Sequence, residues 1–448
     1  MTVTVESGVL LRDLIAQAAK AGMALPSSPD WWALTVGGMI STGSHGSSLS
    51  GDGSYVHDYV VGLRIVTPAS SDEGYAKVRV LDNNHPDMKA VKLSLGVLGV
   101  IAQVTLKLEP LYRRSITIVR KNDSDLATVA STFGNEHAFG EITWYPYHRK
   151  ALCRIDNRVS GNGLIDFIGF HSTSTPTLEE NLEETDDATV TTLELTTSGY
   201  GFTNDGNLFT GFPVGYQNRL PASGSHCLDA QTTTTCTWHP RVEGKFYHLT
   251  SVTLPLSKVK SFIQDVQNLR DIVPQAFAGL ELENGILMRY IKGSNAYLGT
   301  QEDSLEFDIS YNRDENALAH RRFQDVLDEV EQIAVFRYGG IPHWGKNRNI
   351  GFINVIDKYR HAREFLKVRE RYDPAGVFSS KWTDQILGLD QSGVAITKEG
   401  CAMEGLCIFS EDIHCAPEEG FVCRPGRVYT DARVCRDTTE KDLGVSDI

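Results

Sequence analysis

The sequence predicts an α+β protein built from more than one domain, and three observations carry that expectation. Short apolar segments with period-two alternation recur along the chain, as in Thr2-Val3-Thr4-Val5 and residues 60–66. Between them lie runs with helical spacing, such as Val259, Phe262, Ile263, Val266 and Leu269. Glycine-rich stretches separate the two kinds of segment, and 448 residues at 41% hydrophobic content suffice for two or three cores.

Taken in order, residues 2–5 read as a strand, and Leu10, Leu11, Leu14, Ile15 and Ala18 read as a helix that stops near Gly22. A glycine- and serine-rich stretch spans residues 37–53 and reads as a loop. Strands follow at 60–66, 78–81 and 101–108, the last ended by Pro110. The texture changes near residue 113. Strands at 115–119, 141–145 and 151–155 precede the helix carrying Val259 to Leu269. A second helix carries Phe323, Val326, Leu327 and Val330 and ends near Gly339-Gly340. A third carries Ala362, Phe365 and Leu366 and ends at Tyr372-Asp373-Pro374. Residues 171–240 are polar and Thr-rich and read as a long loop or insertion; a cysteine-rich tail begins near residue 391.

A net charge of −14 without a basic run disfavours nucleic-acid and anionic-membrane partners. No apolar run reaches the roughly 20 residues of a membrane span. Five of the eight cysteines (Cys401, Cys407, Cys415, Cys423 and Cys435) crowd into the tail. That density suits disulfides of an oxidising compartment, hence the secretory pathway or extracellular space. The spacing lacks the paired CxxC of a zinc site, so no metal is expected. The first residues carry no secretory leader, which stands against the cysteines and reads as a sign of a missing N-terminal segment.

Four motifs bear on chemistry. In Gly37-Gly38-Met39-Ile40-Ser41-Thr42-Gly43-Ser44-His45-Gly46, glycines let backbone N–H groups approach a pyrophosphate and hydroxyls add donors. By itself the stretch reads equally as a flexible surface loop. Ser94-Leu95-Gly96-Val97-Leu98-Gly99-Val100-Ile101 places two glycines in an apolar run, which fits close approach of a ligand or a packed turn. Pro342-His343-Trp344-Gly345-Lys346 joins an imidazole, a large ring and an ammonium, the parts of an acid–base and anion-stabilising site or of a structural cluster. Tyr372-Asp373-Pro374-Ala375-Gly376 ends a helix.

Together the first two motifs resemble the flavin domain of the vanillyl-alcohol-oxidase (PCMH-type) family, over the first 110 residues or so. The His-Trp-x-Lys segment resembles the C-terminal domain of aldonolactone oxidases, and Asn284-Gly285-Ile286-Leu287-Met288-Arg289-Tyr290, Trp382-Thr383-Asp384 and the tail resemble the plant L-gulonolactone oxidase branch. The resemblance implies a partial FAD-binding domain at 1–112, a substrate domain at 113–390 and the tail at 391–448. It implies FAD held by Gly38, Ser41, Thr42, Gly43, His45, Gly46, Gly96, Gly99 and Ile101. It places Arg289, Lys346 and His343 at the substrate, and it implies oxidation of an aldonolactone (L-gulono-1,4-lactone to L-ascorbate) with oxygen or another acceptor. The compartment it implies differs among relatives: membrane-associated in animals, mitochondrial in some plants.

Two departures from the family follow. The Arg-x-Gly-Gly-His loop of the first flavin lobe has no counterpart before Gly37, so roughly a hundred residues read as absent and no covalent flavin link is expected. A non-catalytic remnant or interaction protein is therefore the competing expectation. Relatives also place Glu-x-Arg on a strand facing the flavin; here the segment is Leu287-Met288-Arg289, and neither Glu281 nor Glu283 is placed by the sequence.

Overall fold

The computed structural model describes residues 1–29, 34–159, 201–203, 243–245, 247–280, 285–312, 314, 319, 321–346, 349–390, 412 and 415–438. The polar region at 171–240 lies almost wholly outside them, as do Glu281, Glu283, Cys227, Cys236, Cys401 and Cys407.

The first layer is a four-stranded antiparallel sheet. Its strands are β1 (Thr2–Glu6), β2 (Val60–Pro68), β3 (Ala76–Asp82) and β4 (Val100–Lys107), in the order β1-β4-β2-β3. Alternation turns Leu63, Ile65, Val104 and Leu106 to one face. That face is covered by Leu11 and Leu14 of α1 (Leu11–Lys20) and by Val36, Met39 and Ile40 of α2 (Val36–Ser41). Leu11, Val36, Met39, Ile40 and Val104 are fully buried, each worth roughly 1.5–3 kcal/mol.

The second layer is a seven-stranded antiparallel sheet. Its strands are β5 (Arg113–Asn122), β6 (Glu141–Tyr145), β7 (Lys150–Val159), β8 (Tyr247–Pro255), β9 (Ile286–Ile291), β10 (Ser304–Asn312) and β11 (Ile341–Pro342), in the order β11-β8-β10-β9-β6-β7-β5. The apolar stripe read at Val259, Phe262, Ile263, Val266 and Leu269 is the buried face of α3 (Leu256–Ile272). It packs on one face of this sheet, with Phe262 edge-on to Phe307 at 4.7 Å. Helix α4 (Gln324–Gln332) adds Val326, Leu327 and Val330, continues through one π turn and stops before Gly339, which is at φ 67°.

Helix α5 (Ala362–Tyr372) ends where Asp373 accepts hydrogen bonds from the N–H groups of Val377 (2.8 Å) and Phe378 (2.7 Å). Ser380 and Thr383 cap α6 (Lys381–Ile386) reciprocally. Phe365, Val368 and Ile386 of these helices, with Trp344, belong to the core of the first sheet. The late part of the chain thus folds back on the early part.

The first glycine motif differs from the loop expected, and the second forms a turn. Gly37-Gly38 lie inside α2: Thr35 caps the helix, and a Cβ on Gly37 would stand 2.9 Å from Ser7 Cβ, so the glycine serves packing. Residues 94–99 form a turn, with Leu95 (φ 52°) and Gly96 (φ 75°) left-handed, and the strand starts only at Val100.

The tail folds as a hairpin, β12 (Phe421–Pro425) and β13 (Arg433–Asp437), with a Cys415–Cys435 disulfide. It sits on α4. The fully buried Glu329 carboxylate accepts the N–H groups of Arg427 (2.7 Å), Val428 (2.6 Å) and Tyr429 (2.8 Å). Gln332 exchanges two bonds with the Arg433 backbone. Glu329→Ala leaves three N–H groups unmet, a loss of about 3 kcal/mol at roughly 1 kcal/mol each. Hydrogen exchange should then rise across 421–437 and stay slow in α3; unchanged exchange at the tail would contradict this.

Candidate functional site

The seven-stranded sheet has one apolar face, under α3, and one polar face. Strand register builds the polar face. Arg289 on β9 stands opposite Glu306 on β10, and Leu287 opposite Asp308. On the other side of β10, Thr253 of β8 faces Glu306 and Ser251 faces Asp308. Met288, Tyr290 and Phe307 alternate with these residues and enter the core.

The segment after α2 covers this face. Ser48 N–H donates to the Tyr290 carbonyl (2.8 Å), Ser47 Oγ accepts from Tyr290 N–H (2.9 Å), and Ser54 Oγ accepts from Lys292 N–H (3.0 Å). These bonds hold His45 over β10, where its Nε2 lies 3.1 Å from Glu306 Oε2, both side chains 1% exposed. The Arg289 guanidinium spans two acids through Nη2, 2.8 Å from Glu306 Oε1 and 3.0 Å from Asp308 Oδ2. Ser251 donates to Asp308, and Lys346 Nζ stands 3.4 Å from Asp308 Oδ1. The rings of His343 and His45 are 5.4 Å apart.

Proton positions follow from the partners. His45 Nδ1 faces the Gly46 carbonyl at 2.8 Å, and a carbonyl only accepts, so Nδ1 carries hydrogen. Nε2 then faces a carboxylate, and a hydrogen bond there needs one further proton. His343 Nδ1 accepts the Gly345 N–H at 3.0 Å, so its neutral ring carries hydrogen on Nε2. In this form His343 is a donor at Nε2.

Burial raises the Glu306 carboxyl pKa, but His45 and Arg289 outweigh it and hold the group well below its ordinary range. Burial lowers His343 to about 3, with His45, Lys346 and Arg289 adding to the effect against the pull of Glu306. Since the folded value lies below 6.5, the unfolded chain binds more protons between pH 3 and 6.5. The neutral ring's contribution to stability is complete above pH 6.5 and is lost as pH falls toward 3, at up to about 1.4 kcal/mol per pH unit. His343→Gln should flatten the stability profile in that window; an unchanged slope would refute the assignment.

A small cleft opens between the layers, lined by Thr42, Gly43, Tyr55, Glu306, His343 and Trp344 among others. Trp344 is fixed by a bond from its Nε1 to the Leu298 carbonyl (3.1 Å) and stacks on Tyr359 at 5.2 Å. Leu95 N–H donates to the Ser41 carbonyl (3.0 Å), so the two glycine motifs meet. Of the other positions expected at the cofactor, Ile101, Gly46 and Gly99 pack closely against neighbours. Ile101 is a β4 core residue, 8% exposed. Gly46 lies against Ser27 and Ser28, and a Cβ on Gly99 would come 2.4 Å from the Val66 carbonyl oxygen. Gly38 is helical. Gly96 has open space where a Cβ would stand.

Arg289, Lys346 and His343 thus come together, but around two acids, Glu306 and Asp308, that sequence reasoning passed over. The signal was present in Glu306-Phe307-Asp308, two carboxylates on alternate positions of an apolar strand.

Three family models match: an FAD binding domain over residues 1–71, D-arabinono-1,4-lactone oxidase over 248–386, and the L-gulonolactone oxidase 2-like C-terminal domain over 398–437. The chain is 52% identical to the probable L-gulonolactone oxidase 6 of Arabidopsis thaliana, covering 99% of this chain and 77% of that protein. It is 51% identical to L-gulonolactone oxidase 2 of the same plant, covering 97% and 77%. It is 26% identical to L-gulono-1,4-lactone dehydrogenase of Mycobacterium tuberculosis, covering 86% and 81%. Among solved structures, a solvent-stable cholesterol oxidase superposes with a TM-score of 0.59 at 14% identity, covering 86% of this chain and 82% of that one. At that identity the likeness concerns the fold alone. Among the described residues, no helix is long and apolar enough to cross a membrane.

Proposed function

Because this chain belongs to the L-gulonolactone oxidase family, we propose that it oxidises an aldonolactone with FAD as cofactor, converting L-gulono-1,4-lactone to L-ascorbate with oxygen or another acceptor, in ascorbate biosynthesis. The observation that carries the reading is the convergence of Arg289, Lys346, His343 and Glu306 beside a cleft bounded by the matched FAD segment.

The lining of the cleft is mixed. Trp344, Tyr359, Leu93 and Leu298 give it apolar walls, and Thr42, Tyr55 and Glu306 give it polar edges. Thr42 and Gly43 would hold the flavin ring from the first layer, and the turn at Gly96 leaves its backbone open to a ligand. When bound, FAD supplies the two-electron acceptor. No covalent link to it is proposed.

The protein's part is binding, orientation and charge. Arg289 and Lys346 bring two positive charges to a face that shields them with Asp308 and Glu306, ready to stabilise an oxygen that gains negative charge. The lactone ring would stack toward Trp344, with its hydroxyls on the polar face of β10. The test is oxygen uptake and ascorbate formation by the FAD-loaded chain given L-gulono-1,4-lactone. Lactone-dependent turnover supports the reading. A loaded protein that turns over no aldonolactone overturns it.

A further inference from the structure

The three cleft-side groups His45, Glu306 and His343 present ligand atoms that all lie within 4.8 Å of one another. Their hydrogen-bonding roles differ. His343 offers an N–H at Nε2, because Nδ1 is occupied by Gly345. That Nε2 has no hydrogen-bond partner among the described residues, and the ring lines the cleft. Glu306 offers acceptor lone pairs from the wall of the same cleft. His45 is locked by the Gly46 carbonyl with its second nitrogen aimed at Glu306. A donor and an acceptor flanking one point are the complement of a hydroxyl group, which accepts through oxygen and donates through hydrogen.

We propose that His343 and Glu306 form the seat of the hydroxyl that is oxidised, and that the Glu306 carboxylate takes its proton. This rests on the aldonolactone reading above. The substrate oxygen accepts from His343 Nε2–H, and its hydrogen points at the Glu306 carboxylate. In the reaction the carbinol C–H bond breaks, and its electron pair leaves with the hydrogen to the oxidant, an oxidised flavin. The O–H bond breaks, its proton passes to the Glu306 carboxylate, and the carbonyl forms. Arg289 holds the other carboxylate oxygen, Oε1, at 2.8 Å and fixes the direction of transfer. Glu306 and His343 are therefore catalytic residues, and His45 is a positioning residue that acts through Glu306.

The test uses the FAD-loaded full chain with L-gulono-1,4-lactone. Glu306→Gln keeps the size of the side chain and loses the proton acceptor. Turnover of bound lactone should fall by about 10²–10⁴-fold, the usual contribution of general acid–base catalysis, while KM moves by less than tenfold. His343→Gln, which keeps a donor on a half-buried residue, should recover part of what His343→Phe loses. A readout independent of turnover is nitrogen NMR of histidine-labelled protein. His343 should show the Nε2–H tautomer, and its Nε2 signal should shift on adding lactone to Glu306→Gln protein, which binds without reacting.

Wild-type turnover with a Glu306→Gln variant within threefold of it would overturn the seat and leave the lactone reading intact. An inactive wild type would fail the lactone reading instead. An Nδ1–H tautomer at His343 would also overturn the seat. So would one equivalent of zinc bound by the three groups with loss of activity on chelation, since a metal would then occupy that point.

Discussion

Replacing Arg289 with methionine is expected to lower kcat/KM for lactone by about 10²–10³-fold, the scale of losing one preorganised charge-stabilising donor. Two effects add. The transition state loses a positive partner, and Glu306 and Asp308, 1% and 14% exposed, lose the cation between them. Breaking a buried pair from one side costs roughly 3–5 kcal/mol, so the variant should also unfold at lower denaturant concentration. Arg289→Lys separates the two. It restores a charge, but the ammonium does not reproduce the planar guanidinium that sets Nη2 between both acids. Stability should recover more than kcat/KM. Steady-state kinetics beside urea unfolding on the three proteins decides this, and equal recovery of both quantities would contradict the account.

The second large effect is at Gly99. Its φ of 140° is closed to residues with a Cβ, and that Cβ would stand 2.4 Å from the Val66 carbonyl oxygen of the neighbouring strand. Backbone strain of about 1–3 kcal/mol and overpacking of about 1–3 kcal/mol put Gly99→Ala at roughly 2–6 kcal/mol of lost stability. Gly96 is the control. It is also left-handed, at φ 75°, but nothing stands within 4 Å of its missing Cβ. Gly96→Ala should cost only about 1–2 kcal/mol. If the cofactor approaches Gly96 from that open side, this variant should release FAD more readily while remaining folded. Thermal unfolding and flavin retention after desalting report both quantities.

Much of the layering was legible in the residues. Period-two alternation marked β1, β2, β4, β6 and the start of β7, and the stripe from Val259 to Leu269 is the buried face of α3. These are local patterns that need no knowledge of partners. The acids of the site escaped because they depend on register. Arg289 meets Glu306 only because β9 and β10 pair as they do, and His45 meets Glu306 across 261 residues. The helix at Gly37-Gly38 was masked by glycine's low helix propensity, which the Thr35 cap and packing against Ser7 override. The Leu287 departure from Glu-x-Arg also looks different in the fold. The carboxylate absent from that position stands directly across from it, at Asp308 of the next strand.

The central claim is that this cleft holds a flavin and brings an aldonolactone to it. The most direct measurement is an anaerobic titration of the FAD-loaded, desalted chain with L-gulono-1,4-lactone, followed by absorbance. The account predicts that the oxidised flavin band survives desalting and bleaches as lactone is added, with oxygen restoring it. A protein that emerges colourless, or a flavin band that lactone leaves unchanged, would contradict it.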